Sequence, residues 1–259
     1  MPLSAQFIRN LQRFRLVTFD VTDTLLQLKD PPAQYVSTAT ACGVPNIDSK
    51  KLQLCFRQHF KIMSQNHPNF GRSTPDMGWR SWWLQLVDNV FRCGHPGIEE
   101  AKLKQIAEQL LLVFRTRACW THIECAGNLV QRMRDAGKCV GVISNFDPSL
   151  TQVLEEMELL HKFDFVLTSY EAGVMKPDVG IFEIPLKRLN IAPTEALHIG
   201  NKYDMDYTGA RNSGWSSLLV QTGPEGEVSG SNLDAEAVGH TFASLREMLQ
   251  TLETKQIVW

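Results

Sequence analysis

A lone carboxylate ends an apolar run in the segment Phe19-Asp20-Val21-Thr22-Asp23-Thr24-Leu25. The run at residues 16–19 is bulky enough to form a strand that is buried on both faces. A carboxylate at the mouth of such a strand is well placed to attack an electrophile and form a covalent intermediate. The sequence therefore predicts that Asp20 is a nucleophile.

Two further polar positions have the chemistry to hold an anion beside that carboxylate. Ser144 follows another apolar run, so its hydroxyl and the N–H groups of the next residues can bind anionic oxygens. Lys176 carries an ammonium group that can neutralise both Asp20 and a bound anion. We expect Ser144 and Lys176 to act in catalysis, and Thr24, Asn145 and Lys176 to contact the substrate.

A fourth polar stretch has the residue types of a cation site. Asp204 and Asp206 follow Gly200-Asn201 in the sequence. Their carboxylates can either bind a hard cation through oxygen ligands or orient Lys176. The residues alone leave both interpretations open.

Short aliphatic runs precede these polar positions and predict the strands that place them. The runs lie at 16–19, 139–143, 163–167, 196–199 and 217–220, with helical patterns at 148–160, 180–189 and 207–213. Alternating strands and helices predict an α/β fold, a doubly wound parallel sheet with helices on both faces. Ligands of such sheets bind beyond the carboxyl ends of the strands. Pro185 should kink the second helix or move its start.

A different periodicity fills the stretch between the first two predicted strands. From about residue 31 to 120, apolar residues recur at helical spacing, as in Leu52, Cys55 and Phe56 and in Trp79, Trp82 and Trp83. This predicts a helical cap at 31–120, inserted into a Rossmannoid core made of 1–30 and 121–259. A closing helix at 242–252 is expected after a Gly/Ser/Glu-rich loop at 223–232.

Charge and composition narrow the expected partners and compartment. The chain has 26 basic and 28 acidic residues, so its field favours neither nucleic acid nor an anionic membrane. The expected partner is a small anionic molecule that is held locally. Six cysteines without a CxxC pair predict reduced thiols in an intracellular protein. A basic leader with Arg9, Arg13 and Arg15 resembles a mitochondrial targeting helix, but it leads directly into the first strand, which favours the cytoplasm.

The four polar motifs together resemble those of the haloacid dehalogenase (HAD) superfamily. The motifs are Asp20–Thr24, Ser144-Asn145, Lys176-Pro177-Asp178 and Gly200-Asn201 with Asp206, in the family's order, over roughly residues 15 to 222. The predicted helical insertion lies where that family places its cap.

The resemblance implies a role for each motif residue of a phosphatase-type site. Asp20 would be phosphorylated while Ser144 and Lys176 hold the phosphate. Mg²⁺ would be bound by Asp20, by the backbone of Thr22, and by Asn201 and Asp206. The chain departs from the family pattern twice, because Thr22 replaces an aspartate that protonates the leaving group and Asn201 replaces a metal-binding aspartate.

These departures leave three functions open. The first is a hydrolase with weak or absent phosphatase activity, because loss of a positioned acid costs about 10²–10⁴-fold in rate. The second is a non-catalytic module that binds a phosphorylated or carboxylated ligand. The third, less favoured, is a metal-independent dehalogenase, for which Asn201 is suitable. The dehalogenases of the superfamily carry a tyrosine at the position of Thr22, and Arg57 is the cap arginine to test for halide binding.

Overall fold

A parallel sheet of six strands forms the centre of the fold in the computed structural model, which describes residues 2–221 and 235–259. In spatial order the strands are β5, β4, β1, β6, β7 and β8, and a second sheet pairs β2 with β3. The strands are β1 (Leu16–Phe19), β2 (Leu26–Leu28), β3 (Trp120–His122), β4 (Cys139–Ser144), β5 (Phe165–Thr168), β6 (Ala196–Gly200), β7 (Ser216–Val220) and β8 (Thr241–Phe242).

Strand β1 lies at the point where the order of the strands reverses. It pairs in parallel with β4 on one side and with β6 on the other. Every residue of β1, β6 and β7 is buried, as expected for parallel strands covered by helices on both faces. The predicted α/β fold with a doubly wound parallel sheet is confirmed.

Thirteen α-helices occur in the described residues. They are α1 (Ala5–Leu11), α2 (Pro31–Ala41), α3 (Ser49–Asn66), α4 (Pro68–Gly71), α5 (Trp79–Gly94), α6 (Glu100–Val113), α7 (Ala126–Asp135), α8 (Leu150–Glu156), α9 (Ser169–Ala172), α10 (Val179–Leu189), α11 (Gly209–Asn212), α12 (Ala235–Gly239) and α13 (Leu245–Thr254). Short 3₁₀ turns lie at Leu160–Lys162 and Pro193–Glu195, and a π-helix at Tyr203–Thr208. No helix in these two described ranges is long and apolar enough to cross a membrane.

The chain divides into two compact units. The core unit consists of Met1–Gln27, His122–Asn145 and Glu158–Trp259, and the helical unit of Leu28–Thr121 and Phe146–Met157. The large sheet lies in the core unit and helices α2 to α6 in the helical unit, which α8 joins. The predicted cap boundaries at residues 31 and 120 stay a prediction.

One of the two expectations for Pro185 is wrong. Helix α10 starts at Val179 and continues through Pro185, so its start does not move. The Asp178 side chain accepts a hydrogen bond from the backbone N–H of Gly180 and caps the helix there. Pro185 itself is buried, so its ring contributes to packing.

The closing helix is confirmed with shifted bounds. The closing helix begins at Leu245, because the Ser244 side chain accepts a hydrogen bond from Glu247 N–H and caps it, and residues 241–242 form β8 instead. The predicted loop at 223–232 lies outside the described residues.

The expectation that all six cysteines are reduced is wrong for two of them. Cys55 and Cys93 form a disulfide within the helical unit. The residues lie 38 positions apart on α3 and α5, and the packing of these helices brings their Cα atoms to 6.0 Å. No local spacing signals such a pair, because the contact depends on helix packing.

Candidate active site

Asp20 lies at the carboxyl end of β1, where the strand order of the core unit reverses. Its backbone N–H donates a hydrogen bond to the carbonyl of Ile199 (2.9 Å), which extends the pairing of β1 with β6 by one residue. Its side chain is largely buried. The topology of a doubly wound sheet therefore places this carboxylate at the usual ligand-binding edge.

The two oxygens of Asp20 have very different surroundings. Oδ1 accepts hydrogen bonds from Ser144 Oγ at 2.9 Å and from Lys176 Nζ at 2.8 Å. Within residues 2–221 and 235–259, Oδ2 accepts only one long hydrogen bond, from Thr24 Oγ1 at 3.5 Å. One oxygen is thus held and neutralised, while the lone pairs of the other remain available.

Lys176 is buried and has all three ammonium protons paired. Besides Asp20, its Nζ donates to the carbonyl of Ile143 (2.9 Å) and to Asp206 Oδ1 (2.6 Å). Burial alone would lower the pKa of Lys176, but the carboxylates of Asp20 and Asp206 raise it above the ordinary lysine value. The ammonium form is therefore maintained beside the Asp20 carboxylate.

Asp206 is a hydrogen-bond acceptor for four donors. Oδ1 binds Lys176 and lies 3.1 Å from His198 Nε2, while Oδ2 accepts the backbone N–H groups of Asn201 (3.1 Å) and Lys202 (2.8 Å). Burial would raise the pKa of Asp206, but Lys176 and the other donors hold it far below its ordinary value. Of the two roles open from the sequence, these contacts favour orientation of Lys176.

Gly200 allows this carboxylate to approach the strand. A Cβ atom added at Gly200 would lie 2.2 Å from Asp206 Cγ, which is impossible without a shift of the backbone or of Asp206. Asp206 itself belongs to the π-helix that follows β6, and this helix carries its carboxylate back toward Gly200. The motif glycine is thus explained by the position of an acidic side chain.

Asn145 holds the loop of Lys176. Its Oδ1 accepts the backbone N–H of Lys176 (2.8 Å), and its Nδ2 donates to the carbonyl of the same residue (2.9 Å). Because both ends of the amide are engaged, the structure gives Asn145 a positioning role. Its predicted contact with the substrate stays a prediction.

On the side of Asp20 near Asn201, the described side chains make only long hydrogen bonds. Thr24 Oγ1 lies 3.5 Å from Asp20 Oδ2 and 3.4 Å from Asn201 Oδ1, so a single hydroxyl proton serves two distant acceptors. Thr22 and Asn201 are half-buried, and Asp204 is exposed. These contacts bring Asp20, Thr24 and Asn201 together, and the predicted roles of Thr22 and Asn201 stay predictions.

Asp23 lies between Thr22 and Thr24 in the sequence. It has a left-handed backbone conformation (φ 58°) in the turn after β1. Burial, and to a lesser extent the charge of Asp20, raise the pKa of Asp23 above the ordinary aspartate value, against an opposing effect of Lys202. A proton is therefore retained on Asp23 at a higher pH than on an ordinary aspartate.

The oxygen atoms near Asp20 are of a type that Mg²⁺ accepts as ligands, but few of them carry a formal negative charge. Asp20 Oδ2 and Asn201 Oδ1 both lie within 3.5 Å of the Thr24 hydroxyl, and carboxylate and amide oxygens are ligands that Mg²⁺ accepts. In the described part of the chain, however, no group of three or more His, Cys, Asp or Glu residues is arranged to hold a metal ion. The predicted set of Asp20, Thr22, Asn201 and Asp206 stays a prediction.

Sequence reasoning missed His198, which is fully buried in the centre of β6. The signal was its position, because residues 196, 198 and 200 share one face of the strand and the motif glycine is the last of them. A histidine inside an otherwise aliphatic buried strand needs two hydrogen-bond partners.

Known proteins resemble the chain in both sequence and fold. The family model described as "haloacid dehalogenase-like hydrolase" matches residues 14–214. The chain belongs to the haloacid dehalogenase-like hydrolase family. This family member is 34% identical to the Drosophila melanogaster rhythmically expressed gene 2 protein, over 97% of this chain and 100% of that one. It is also 37% identical to haloacid dehalogenase-like hydrolase domain-containing protein 3 of Bos taurus, over 93% and 94% of the two chains.

Solved structures of low sequence identity share the fold of this HAD-like protein. A Bacillus subtilis HAD hydrolase, YfnB, described as bound to magnesium, has a TM-score of 0.65 at 17% identity, covering 93% of this chain and 99% of that one. A dehalogenase described as an intermediate complex has a TM-score of 0.67 at 19% identity, covering 94% and 99%. The family model and the curated relatives confirm the resemblance to the HAD superfamily.

Proposed function

We propose that this protein is a HAD-type hydrolase that cleaves small phosphate esters slowly, with Asp20 as the nucleophile. One observation carries the proposal: Ser144 and Lys176 bind only Oδ1 of Asp20 and leave Oδ2 with a single long hydrogen bond. A carboxylate held in this way keeps a lone pair for attack while its orientation is fixed.

The reaction takes place in two displacements at phosphorus. Oδ2 of Asp20 forms a bond to phosphorus, and the bond from phosphorus to the leaving oxygen breaks with its electron pair. Water then attacks phosphorus, the bond to Oδ2 breaks, and inorganic phosphate leaves. Lys176 reduces the charge repulsion during attack, since its ammonium lies 2.8 Å from Oδ1.

Slow turnover follows from the identity of residue 22. Threonine has no proton to give near neutral pH, so an alkoxide leaving group departs unprotonated, at a cost of about 10²–10⁴-fold in rate. A bound Mg²⁺, held by Asp20, the Thr22 backbone and Asn201, would supply charge neutralisation at phosphate. Asn201 lacks the formal charge of an aspartate, so we expect weak binding of the ion.

An aryl phosphate with a good leaving group tests the proposal, because its phenolate departs without a proton. With p-nitrophenyl phosphate and Mg²⁺ at high protein concentration, we expect slow nitrophenolate release that Asp20→Asn removes. Asp178→Asn is a suitable control, since Asp178 caps α10 and makes no contact with Asp20. Equal release by the wild type and Asp20→Asn would contradict the proposal.

Ligand binding without turnover is the second candidate, and the uneven site favours it. Ser144 and Lys176 make short hydrogen bonds on one side of Asp20, whereas the contacts among Asp20, Thr24 and Asn201 on the other side are long. This candidate predicts thermal stabilisation by phosphate or a phosphorylated ligand that persists in Asp20→Asn, with no product formed. Halide release from a 2-haloacid would instead favour a dehalogenase.

A further inference from the structure

His198 is a buried polar residue that the proposed chemistry does not use directly. It lies in the middle of β6 with no exposed surface, and the ring of Phe182 packs edge-on against its imidazole at 5.4 Å between centroids. Both ring nitrogens nevertheless have a polar partner: Nδ1 lies 2.8 Å from Thr18 Oγ1, and Nε2 lies 3.1 Å from Asp206 Oδ1. A buried polar group with two short contacts has a defined orientation.

The partners determine which nitrogen carries the proton. A carboxylate oxygen can only accept, so Nε2 must donate to Asp206, and we assign the hydrogen there on this basis. In the neutral ring with its proton on Nε2, Nδ1 accepts the hydroxyl proton of Thr18.

These contacts connect the rigid sheet to the catalytic lysine. Thr18 lies in β1 and His198 in β6, and the two residues are direct partners in the register of the sheet. Asp206 lies outside the sheet, in the π-helix at Tyr203–Thr208. Of the four donors to Asp206, the His198 side chain is the one that comes from a strand. It meets Oδ1, the oxygen that Lys176 also binds.

We propose that His198 is a positioning residue that fixes the Asp206 carboxylate and, through it, holds Lys176 Nζ against the nucleophile Asp20. The neutral imidazole is suited to this task because it donates one hydrogen bond without adding a positive charge beside the lysine. The contribution of His198 to turnover rests on the proposed hydrolase function, whereas its effect on Lys176 does not.

Two amide variants separate the two hydrogen bonds of His198. In His198→Asn, the short side chain lies near the former Nδ1 and keeps a partner for Thr18, but it does not reach Asp206. In His198→Gln, the amide nitrogen lies near the former Nε2 and can still donate to Asp206. His240→Asn is a matched control, because His240 is also buried but pairs with Tyr207 and the carbonyl of Val258 instead.

The first measurement needs no activity. In ¹⁵N-labelled protein, the His198 ring should give the neutral Nε2–H signal pattern. The Lys176 ammonium, identified by its absence in Lys176→Met, should give a slowly exchanging signal. We expect His198→Asn to lose or shift the Lys176 signal, and His198→Gln and His240→Asn to keep it. An unchanged Lys176 signal in a folded His198→Asn, or a wild-type ring with its proton on Nδ1, would overturn the proposal. The ring assignment decides the question if His198→Asn does not fold.

The second measurement uses turnover of p-nitrophenyl phosphate. We expect His198→Asn to lower kcat about tenfold to a hundredfold, the value of one hydrogen bond to a charged group, with little change in KM. We expect His198→Gln to recover most of this loss, which a merely structural role would not explain. Equal kcat values for the wild type and His198→Asn would overturn the proposal. Absence of any Asp20-dependent turnover, with the Lys176 signal still responding to His198→Asn, would refute the hydrolase function and leave the positioning role supported.

Discussion

The two oxygens of Asp20 face two regions of the core unit that differ in how completely they are hydrogen-bonded. On the Oδ1 side, Lys176, Asp206 and His198 form a buried network in which each short contact measures 2.6 to 3.1 Å. On the Oδ2 side, Thr24 offers one hydroxyl to two acceptors at 3.4 and 3.5 Å. Under the proposed hydrolase function, orientation of the nucleophile and protonation of the leaving group therefore depend on different parts of the site.

The strongest way to break the well-bonded side is Lys176→Met. The substitution leaves Asp20 and Asp206 buried without a counter-charge, and removal of one partner of a buried pair costs about 3–5 kcal/mol. We expect a corresponding loss of unfolding free energy in urea, and turnover about a hundredfold to a thousandfold lower.

Lys187→Met supplies the control for that experiment. Lys187 lies in α10 and pairs with Glu183 at an exposed position. Its loss should change the unfolding free energy by less than about 1 kcal/mol. Similar destabilisation by both substitutions would contradict the importance of the Oδ1 network.

The Oδ2 side of Asp20 can be tested by adding carboxylates at positions 22 and 201. Thr22→Asp together with Asn201→Asp restores the two aspartates of the family pattern, one as a candidate acid and one as a further carboxylate for the metal. We expect hydrolysis of an alkyl phosphate, which needs the acid, to increase about a hundredfold or more in the presence of Mg²⁺. Each single variant should give less than the pair. No gain in a folded double variant would mean that these two positions are not what limits the site.

A smaller effect is expected in the pH dependence of stability. The pKa of His198 lies below its unfolded value because of burial, so the unfolded chain takes up this proton first as the pH falls below about 6.5. The folded state then loses up to about 1.4 kcal/mol per pH unit through this residue. Below about pH 4 the depressed pKa of Asp206 adds a second loss, since the unfolded carboxyl is protonated first.

His198→Gln isolates the histidine part of this effect. The amide does not titrate, so the unfolding free energy of the variant should fall less than that of the wild type between pH 6.5 and 5. Urea denaturation at several pH values measures the difference. Parallel curves for the two proteins would show that His198 does not titrate differently in the folded and unfolded states.

The meeting of Asp20, Ser144 and Lys176 was predictable from the sequence. Each follows or lies near the carboxyl end of a predicted strand, and parallel strands bring those ends to one edge. The role of Asp206 was predictable only as one of two alternatives, because the choice depends on the distance of its carboxylate from Lys176. That distance depends on the π-helix and on the close approach that Gly200 allows. The periodicity of apolar residues in the sequence predicts neither feature.

Long-range packing was not predictable in the same way. The partners of His198 are Thr18, which the register of β1 with β6 places beside it, and Asp206, which the π-helix after β6 brings back to the strand. The Cys55–Cys93 disulfide likewise depends on how α3 packs against α5. For Pro185, the expected shift of the helix start does not occur, because Asp178 caps α10 ahead of the proline.

Chemical trapping of the intermediate tests the central claim, attack by Asp20, most directly. Borohydride reduces an aspartyl phosphate to homoserine, which peptide mass spectrometry locates. After incubation with p-nitrophenyl phosphate and Mg²⁺, we expect homoserine at position 20, and none when substrate is omitted. Release of nitrophenolate without homoserine at position 20, or at an unchanged rate in Asp20→Asn, would contradict the account.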